Sequence, residues 1–168
     1  RGFGPENPNL DELTTDRSDA SGTGYFDPTS GEYDRAVLEA ALGHIALVPR
    51  VIGAGEAAGT LAGGDALVGP GCGDNAGAAL GLGAVAGDVV VSIGTSGTVF
   101  AVTETPSRDA SGTVAGFADA SGLFLPLVAT LNAARVLDSI AGLLDVDHDA
   151  LGTLALEADP GAGGNATA

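Results

Sequence analysis

Apolar and polar positions alternate in blocks along this chain, and the blocks mark its elements. Residues 1–13 are rich in Pro, Gly and Asn and read as a loop. In the polar run at 14–23, Asp16 or Ser18 is placed to cap a brief helix, and 23–26 is expected as a strand. Residues 28–31 make a turn. Asp34 then opens a helix predicted to reach about Leu47, with Val37, Leu38, Ala41, Leu42 and Ile45 on one face and Pro49 as its stop. A Gly/Ala-rich connection covers 50–65, a strand begins near Ala66, and a Gly-rich turn follows it into Asp74-Asn75. The next helix is built of small residues; Gly77 and Gly81 keep it slim enough to lie against a sheet, and Gly87 breaks it.

Two β-branched runs, 89–93 and 98–102, predict a hairpin around Gly94-Thr95-Ser96-Gly97. Residues 117–128 supply more strand and turn. A helix is predicted from about Asn132 to Leu144, with Leu137, Ile140, Ala141 and Leu144 facing inward. Asp147 caps a last helix that runs to about Ala158, where Pro160-Gly161 stop it. The tail beyond has no pattern. Strands alternating with helices predict an α/β class, with the best internal boundary near Gly87.

Composition narrows the function. Of 168 residues, 45% are hydrophobic and mean hydropathy is +0.29, enough for a packed core. The 28 glycines follow no collagen-like period, so they serve turns and close backbone packing. Net charge is −16, with six bases, all Arg, against 22 acids. Such a chain should repel nucleic acid and anionic membrane surfaces. With no long apolar run and no basic-then-apolar opening, it reads as soluble and without a visible address, hence cytoplasmic. One cysteine, Cys72, excludes an internal disulfide framework and a cysteine-based zinc site. The start at Arg1, with no Met in the chain, suggests a piece cut from something longer.

The candidate chemistry centres on Asp74. A carboxylate at the carboxyl end of a strand can accept a proton from an attacking hydroxyl; Asp also fills helix N-caps, and the two roles are compatible. Neighbouring Asn75 is placed to bond the same substrate. About 20 residues on, Gly94, Thr95, Ser96 and Gly97 offer backbone N–H groups and hydroxyls to phosphate oxygens, or a plain turn. Together they suit phosphoryl transfer.

Rival motifs fail on particular residues. Gly71-Cys72-Gly73-Asp74-Asn75-Ala76 fits a dinucleotide fingerprint, but Asp74 would sit where pyrophosphate should meet bare amides. A serine nucleophile elbow would need glycine where Thr98 stands. Without lysine there is no P-loop. Asp145, Asp147 and Asp149 imitate a calcium loop, yet Ala150 and Leu156 occupy its obligatory positions, leaving a capped helix start. His44 and His148 are expected at the surface or at helix ends.

These motifs resemble the carbohydrate kinases of the FGGY family, most closely its bacterial xylulokinases of an actinobacterial kind. The matching residues are Thr15-Asp16-Arg17-Ser18-Asp19-Ala20-Ser21-Gly22-Thr23, Gly71-Cys72-Gly73-Asp74-Asn75-Ala76-Gly77-Ala78 and Ser92-Ile93-Gly94-Thr95-Ser96-Gly97-Thr98. Further matches are Phe124-Leu125-Pro126-Leu127 and 131–138. The resemblance implies part of an actin-like, ribonuclease H-like fold, with 1–86 closing a sugar-binding domain and 87–168 opening an ATP-binding one. It implies Asp74 as the base acting on the terminal hydroxyl of D-xylulose, with Asn75 beside it. It also implies Gly94, Thr95, Ser96 and Gly97 along the phosphates of ATP, with Mg2+ bridging those phosphates and no metal ligand on the chain itself.

Sugar and ATP would be the partners, without nucleic acid or membrane; a homodimer stays open. The alternatives are another FGGY kinase, for ribulose, gluconate or a polyol, and a non-catalytic actin-like binding module. The family's N-terminal Asp-bearing strand-turn, N-terminal sugar-contacting segment and adenine-binding stretch have no counterpart here, and the tail after Gly164 departs from its pattern. By itself the chain is therefore expected to be inactive.

Overall fold

A computed structural model describes residues 12–161; most of the expected opening loop and the patternless tail from 162 onward lie outside them. Contacts divide the chain into two compact units, Arg1–Val90 with Phe100–Leu127, and Val91–Val99 with Val128–Ala168.

The first unit begins with a strand that local sequence does not reveal. β1 (Thr14–Asp16) pairs in parallel with β4 (Arg50–Ile52), Asp16 facing Ile52 across the ladder. Between them come α1 (Arg17–Ser21), the two-residue strands β2 (Phe26–Asp27) and β3 (Glu32–Tyr33), and α2 (Arg35–Leu42). Asp16 caps α1, as one of the two expected candidates, by accepting from Ser18 N and Asp19 N. The strand expected at 23–26 overlaps the real one only at Phe26. Residues 22–25 turn instead, because Thr23 closes back onto the carbonyl of Ala20.

Asp34 caps α2 as predicted, but the helix stops at Leu42. Gly43, at φ +75°, takes the left-handed cap conformation that side chains disfavour, and its N–H closes on Glu39 O. Ile45 and Leu47, expected in or at the end of the helix, lie beyond it and are exposed; of the predicted face only Leu38 is buried.

β5 (Gly59–Thr60) and β6 (Leu67–Val68) form a short antiparallel pair where a connection and then a longer strand were expected. Pro70, which has no N–H, and Gly71, at φ +86°, carry the chain out of that pairing. α3 (Asp74–Leu82) follows and ends at Gly83, before the expected break at Gly87. Its small-residue side is occupied differently from the expectation. Ala76 and Ala79 are the buried pair, while a Cβ on Gly81 would meet open space and one on Gly77 would meet only Cys72 Sγ.

β7 (Val89–Ile93), β8 (Gly97–Ala101), β9 (Ala115–Ala118) and β10 (Phe124–Thr130) make a sheet ordered β7-β8-β10-β9. The hairpin and the strand material at 117–128 thus appear where patterning put them. In β10 the alternation is strict at first, with Leu125 and Leu127 buried between half-buried neighbours. These two pack with Ala79, Phe100 and Val102 as the core of the first unit. Full burial of Phe100 alone is worth about 1.5–3 kcal/mol.

The second unit holds the hairpin tip, α4 (Ala134–Leu144) and α5 (His148–Leu156). Both helices begin two residues and one residue, respectively, after Asn132 and Asp147. Of the face predicted inward on α4, Ala141 is buried, whereas Leu137, Ile140 and Leu144 are at least 40% exposed. Asp147 caps α5 through Ala150 N at 2.8 Å, the helix-start role expected of it. His148 sits at the helix end as expected and meets Asp138 at 3.1 Å in the open, a pairing of little energetic weight.

Candidate active site

Asp74 is the first residue of α3; Gly73 holds the N-cap position and has no side chain to cap with. Asp74 is therefore neither an N-cap nor the end of a strand, since five residues separate it from β6. Its carboxylate lies in the first turn of α3, where the helix dipole favours negative charge. Oδ1 accepts from the backbone N of Asn75 at 2.7 Å and from Asn75 Nδ2 at 3.1 Å. Asp74 is exposed, Asn75 half-buried, and both line a cavity of about 130 Å³ with Ser18, Asp19, Gly73, Phe117 and Leu125 among the other walls.

Two of those walls, Ser18 and Asp19, come from a stretch to which motif spacing gave no site role. Asp16 and Ser18 are each 5% exposed. Asp16 Oδ1 accepts from Ser18 N at 2.8 Å, from Asp19 N at 3.0 Å and from the hydroxyl of Ser18. Ser18 Oγ in turn accepts from Gly73 N at 2.9 Å, a partner 55 residues away. Asp19, exposed on the cavity wall, has its carboxyl pushed above the ordinary carboxylate range, by burial first and then by the negative charges of Asp16 and Asp74. The signal that could have found this wall was the polar density of 14–23 itself, which capping alone does not require.

α1 is held from its other side by longer-range contacts. Arg17 donates to the carbonyls of Leu123 and, at 2.8 Å, Pro28; its guanidinium lies 4.8 Å from the Phe124 ring centroid and 4.0 Å from Asp119. Burial lowers its pKa, against the opposing pull of Asp119. Ala118 N donates to Ser21 Oγ at 2.9 Å.

The Gly71-Cys72-Gly73 turn faces acids. A Cβ on Gly73 would lie 3.2 Å from Asp19 Oδ1, and one on Gly71 would lie 3.6 Å from Asp16 Oδ2. A pyrophosphate would meet carboxylates there, so the dinucleotide reading fails on the structure as it did on the sequence.

Gly94, Thr95, Ser96 and Gly97 stand in the other unit, at the tip between β7 and β8. The tip is organised by its backbone. Gly94 N donates to Ser96 O at 2.9 Å, Ala133 N to Thr95 O at 3.1 Å and Ala134 N to Gly94 O at 2.9 Å. α4 has no side-chain cap at Ala133, so these carbonyls satisfy N–H groups at its start. The side-chain hydroxyls of Thr95 and Ser96 are exposed and take no part in this bonding. Gly97 leaves no room for a side chain: its Cβ would lie 3.0 Å from Thr130 Oγ1 and 3.1 Å from Ala133 Cβ.

Among the described residues no group of three or more His, Cys, Asp or Glu is placed to hold a metal ion, and no helix is long and apolar enough to cross a membrane.

No family model matches the chain. The xylulose kinase of Streptomyces rubiginosus is 49% identical, over 82% of this chain and 30% of that protein. The crystal structure of xylulose kinase from Bifidobacterium adolescentis superposes with a TM-score of 0.75 at 43% identity, covering 95% of this chain and 36% of that one. Gluconate kinase from Lactobacillus acidophilus shares the fold alone, with a TM-score of 0.72 at 18% identity. The chain thus spans about a third of the length of the relatives it matches. It has part of the actin-like, ribonuclease H-like ATPase fold. By its motifs and by these likenesses, the chain is similar to about a third of the length of xylulose kinases, and it resembles the FGGY family of carbohydrate kinases.

Proposed function

We propose that this chain supplies the proton-accepting carboxylate and a phosphate-facing hairpin to an ATP-dependent sugar kinase acting on D-xylulose and giving D-xylulose 5-phosphate. The observation that carries the reading is Asp74: exposed, fixed through one oxygen and lining a cavity that also holds an amide side chain. Asp74 takes the proton of the terminal hydroxyl as that oxygen attacks the γ-phosphorus. The bond from phosphorus to the bridging oxygen breaks, and ADP leaves. Asn75 orients the carboxylate and is within reach of the same sugar.

Gly94, Thr95, Ser96 and Gly97 suit the phosphates, because the hydroxyls of Thr95 and Ser96 stand exposed at the turn and outside its own bonding. Magnesium accompanies ATP and neutralises its phosphates; the described residues fit that role only indirectly, through the phosphates. We assign 1–86 to the end of the sugar-binding domain and 87–168 to the start of the ATP-binding one, a division by family order that differs from the compact contact units. The need for ATP favours a cytoplasmic location.

The test is ADP release by the complete protein with ATP, magnesium and a panel of ketoses, polyols and aldonates. Turnover on D-xylulose supports the reading, and turnover on ribulose, gluconate or a polyol instead moves the substrate and keeps the mechanism. A folded protein silent across the panel, yet stabilised by ligand, would be a binding module.

A further inference from the structure

We propose that Ser18 is a positioning residue for Asp74, acting through the N–H of Gly73; the proposal rests on Asp74 being the base. A serine hydroxyl has one proton to give and lone pairs to receive with. Ser18 uses both directions, donating to the buried Asp16 carboxylate and accepting from Gly73 N at 2.9 Å. Asp16 is itself locked by Ser18 N and Asp19 N. The hydroxyl therefore cannot turn away without leaving a buried carboxylate and a backbone N–H both short of a partner.

Gly73 is the residue immediately before Asp74, and it has no side chain with which to fasten the start of α3. What fastens it comes from α1. The two glycines of the turn permit this seat, since α1 approaches the points where their Cβ atoms would stand to 3.6 Å at Gly71 and 3.2 Å at Gly73. Their spacing serves the docking of this turn on two carboxylates, a use with no phosphate in it. The direction of Asp74 is then set by a hydroxyl that itself lines the cavity beside it.

Positioning predicts a specific kinetic pattern. Displacing a reacting group by about 1 Å costs on the order of 100-fold in rate. Ser18→Ala in the complete protein should lower kcat by about 10- to 100-fold while KM for ATP stays unchanged. Gly73→Pro removes the same hydrogen bond from its donor side, at a residue whose φ of −62° suits proline. Its ring also presses on Asp19 Oδ1, 3.2 Å from the Cβ position, so the loss should be at least as large, and the double variant should be no worse than Gly73→Pro alone.

Wild-type kcat in a folded Ser18→Ala protein overturns the proposal, and so do losses that multiply in the double variant. Should Ser18→Ala fail to fold, Gly73→Pro alone decides, because full kcat there also overturns it. Asp74→Asn separates the two readings. If Asp74→Asn turns over normally, the base assignment itself is wrong; if it is dead while Ser18→Ala is fully active, only the positioning role falls.

Discussion

Asp74 and residues 94–96 of the hairpin tip are both exposed, and they are held in opposite ways. The start of α3 is fastened by side chains: Asp16 grips Ser18, and Ser18 grips Gly73. The tip is fastened by its own carbonyls, which receive the first N–H groups at α4, while its hydroxyls stay out of the scaffold. A side-chain fastening depends on residue identity at positions distant in sequence. A backbone fastening depends on the space beside it, which at Gly97 is full. The first arrangement should be sensitive to deleting polar groups, and the second to adding carbon.

The largest expected effect is on chemistry. Asp74→Asn keeps the shape and loses proton acceptance, so turnover by the complete protein should drop by about 100- to 10,000-fold with an unchanged urea midpoint. A large fall in that midpoint would mean that Asp74 belongs to the scaffold. Next comes Gly97→Ala, which forces a methyl against Thr130 Oγ1 and Ala133 Cβ and should cost about 1–3 kcal/mol by urea unfolding. Thr95→Ala and Ser96→Ala should stay within about 0.5 kcal/mol of wild type and raise KM for ATP; destabilisation by either would break the contrast between scaffold and free hydroxyl.

The smallest effect is electrostatic. Asp19 binds its proton more tightly when folded, because burial, Asp16 and Asp74 all raise its pKa. Its contribution to stability therefore falls as pH rises through the window above the ordinary value of 3.8. Below that value both states are protonated and the difference vanishes. Asp19→Asn should raise the thermal midpoint at pH 7 and converge with wild type near pH 3, as melts across that range would show. An offset independent of pH would assign the effect to packing.

Much of the architecture was legible because it is local. The helices α2 to α5, the Asp34 and Asp147 caps and the 89–102 hairpin follow from periodicity and turn chemistry, whereas the short strands β1, β4 and β5 do not. What failed was local too strictly. Pro49 looked like the stop of α2, yet Gly43 ended it six residues sooner. Gly77 and Gly81 looked like the close-packed face of α3, but Ala76 and Ala79 took it. Asp74 and Asn75 were legible as a pair, whereas Asp16, Ser18 and Asp19 beside them were not, since their partner lies 55 positions on.

One repeated tetrapeptide shows the reason. Asp-Ala-Ser-Gly stands at 19–22, 109–112 and 119–122. The first copy lies in the last turn of α1 because Asp16, three residues earlier, receives the N–H groups of Ser18 and Asp19 and starts the helix. In the other two the leading aspartate turns inward instead: Asp109 accepts from Ser111 N and Val114 N, and Asp119 from Ser121 N and Gly122 N. Identical letters take the conformation their neighbours leave open.

α1 is five residues long, and its bonds reach forward 55, 97 and 106 positions. On a ribosome adding about 5–20 residues per second, the segment emerges roughly 5–20 s before its last partner. Until Gly73 follows, 55 residues on, the hydroxyl of Ser18 has only water and the Asp16 carboxylate as partners. The pocket is thus completed only when Leu125 and Leu127 arrive, long after Asp74 itself has been made.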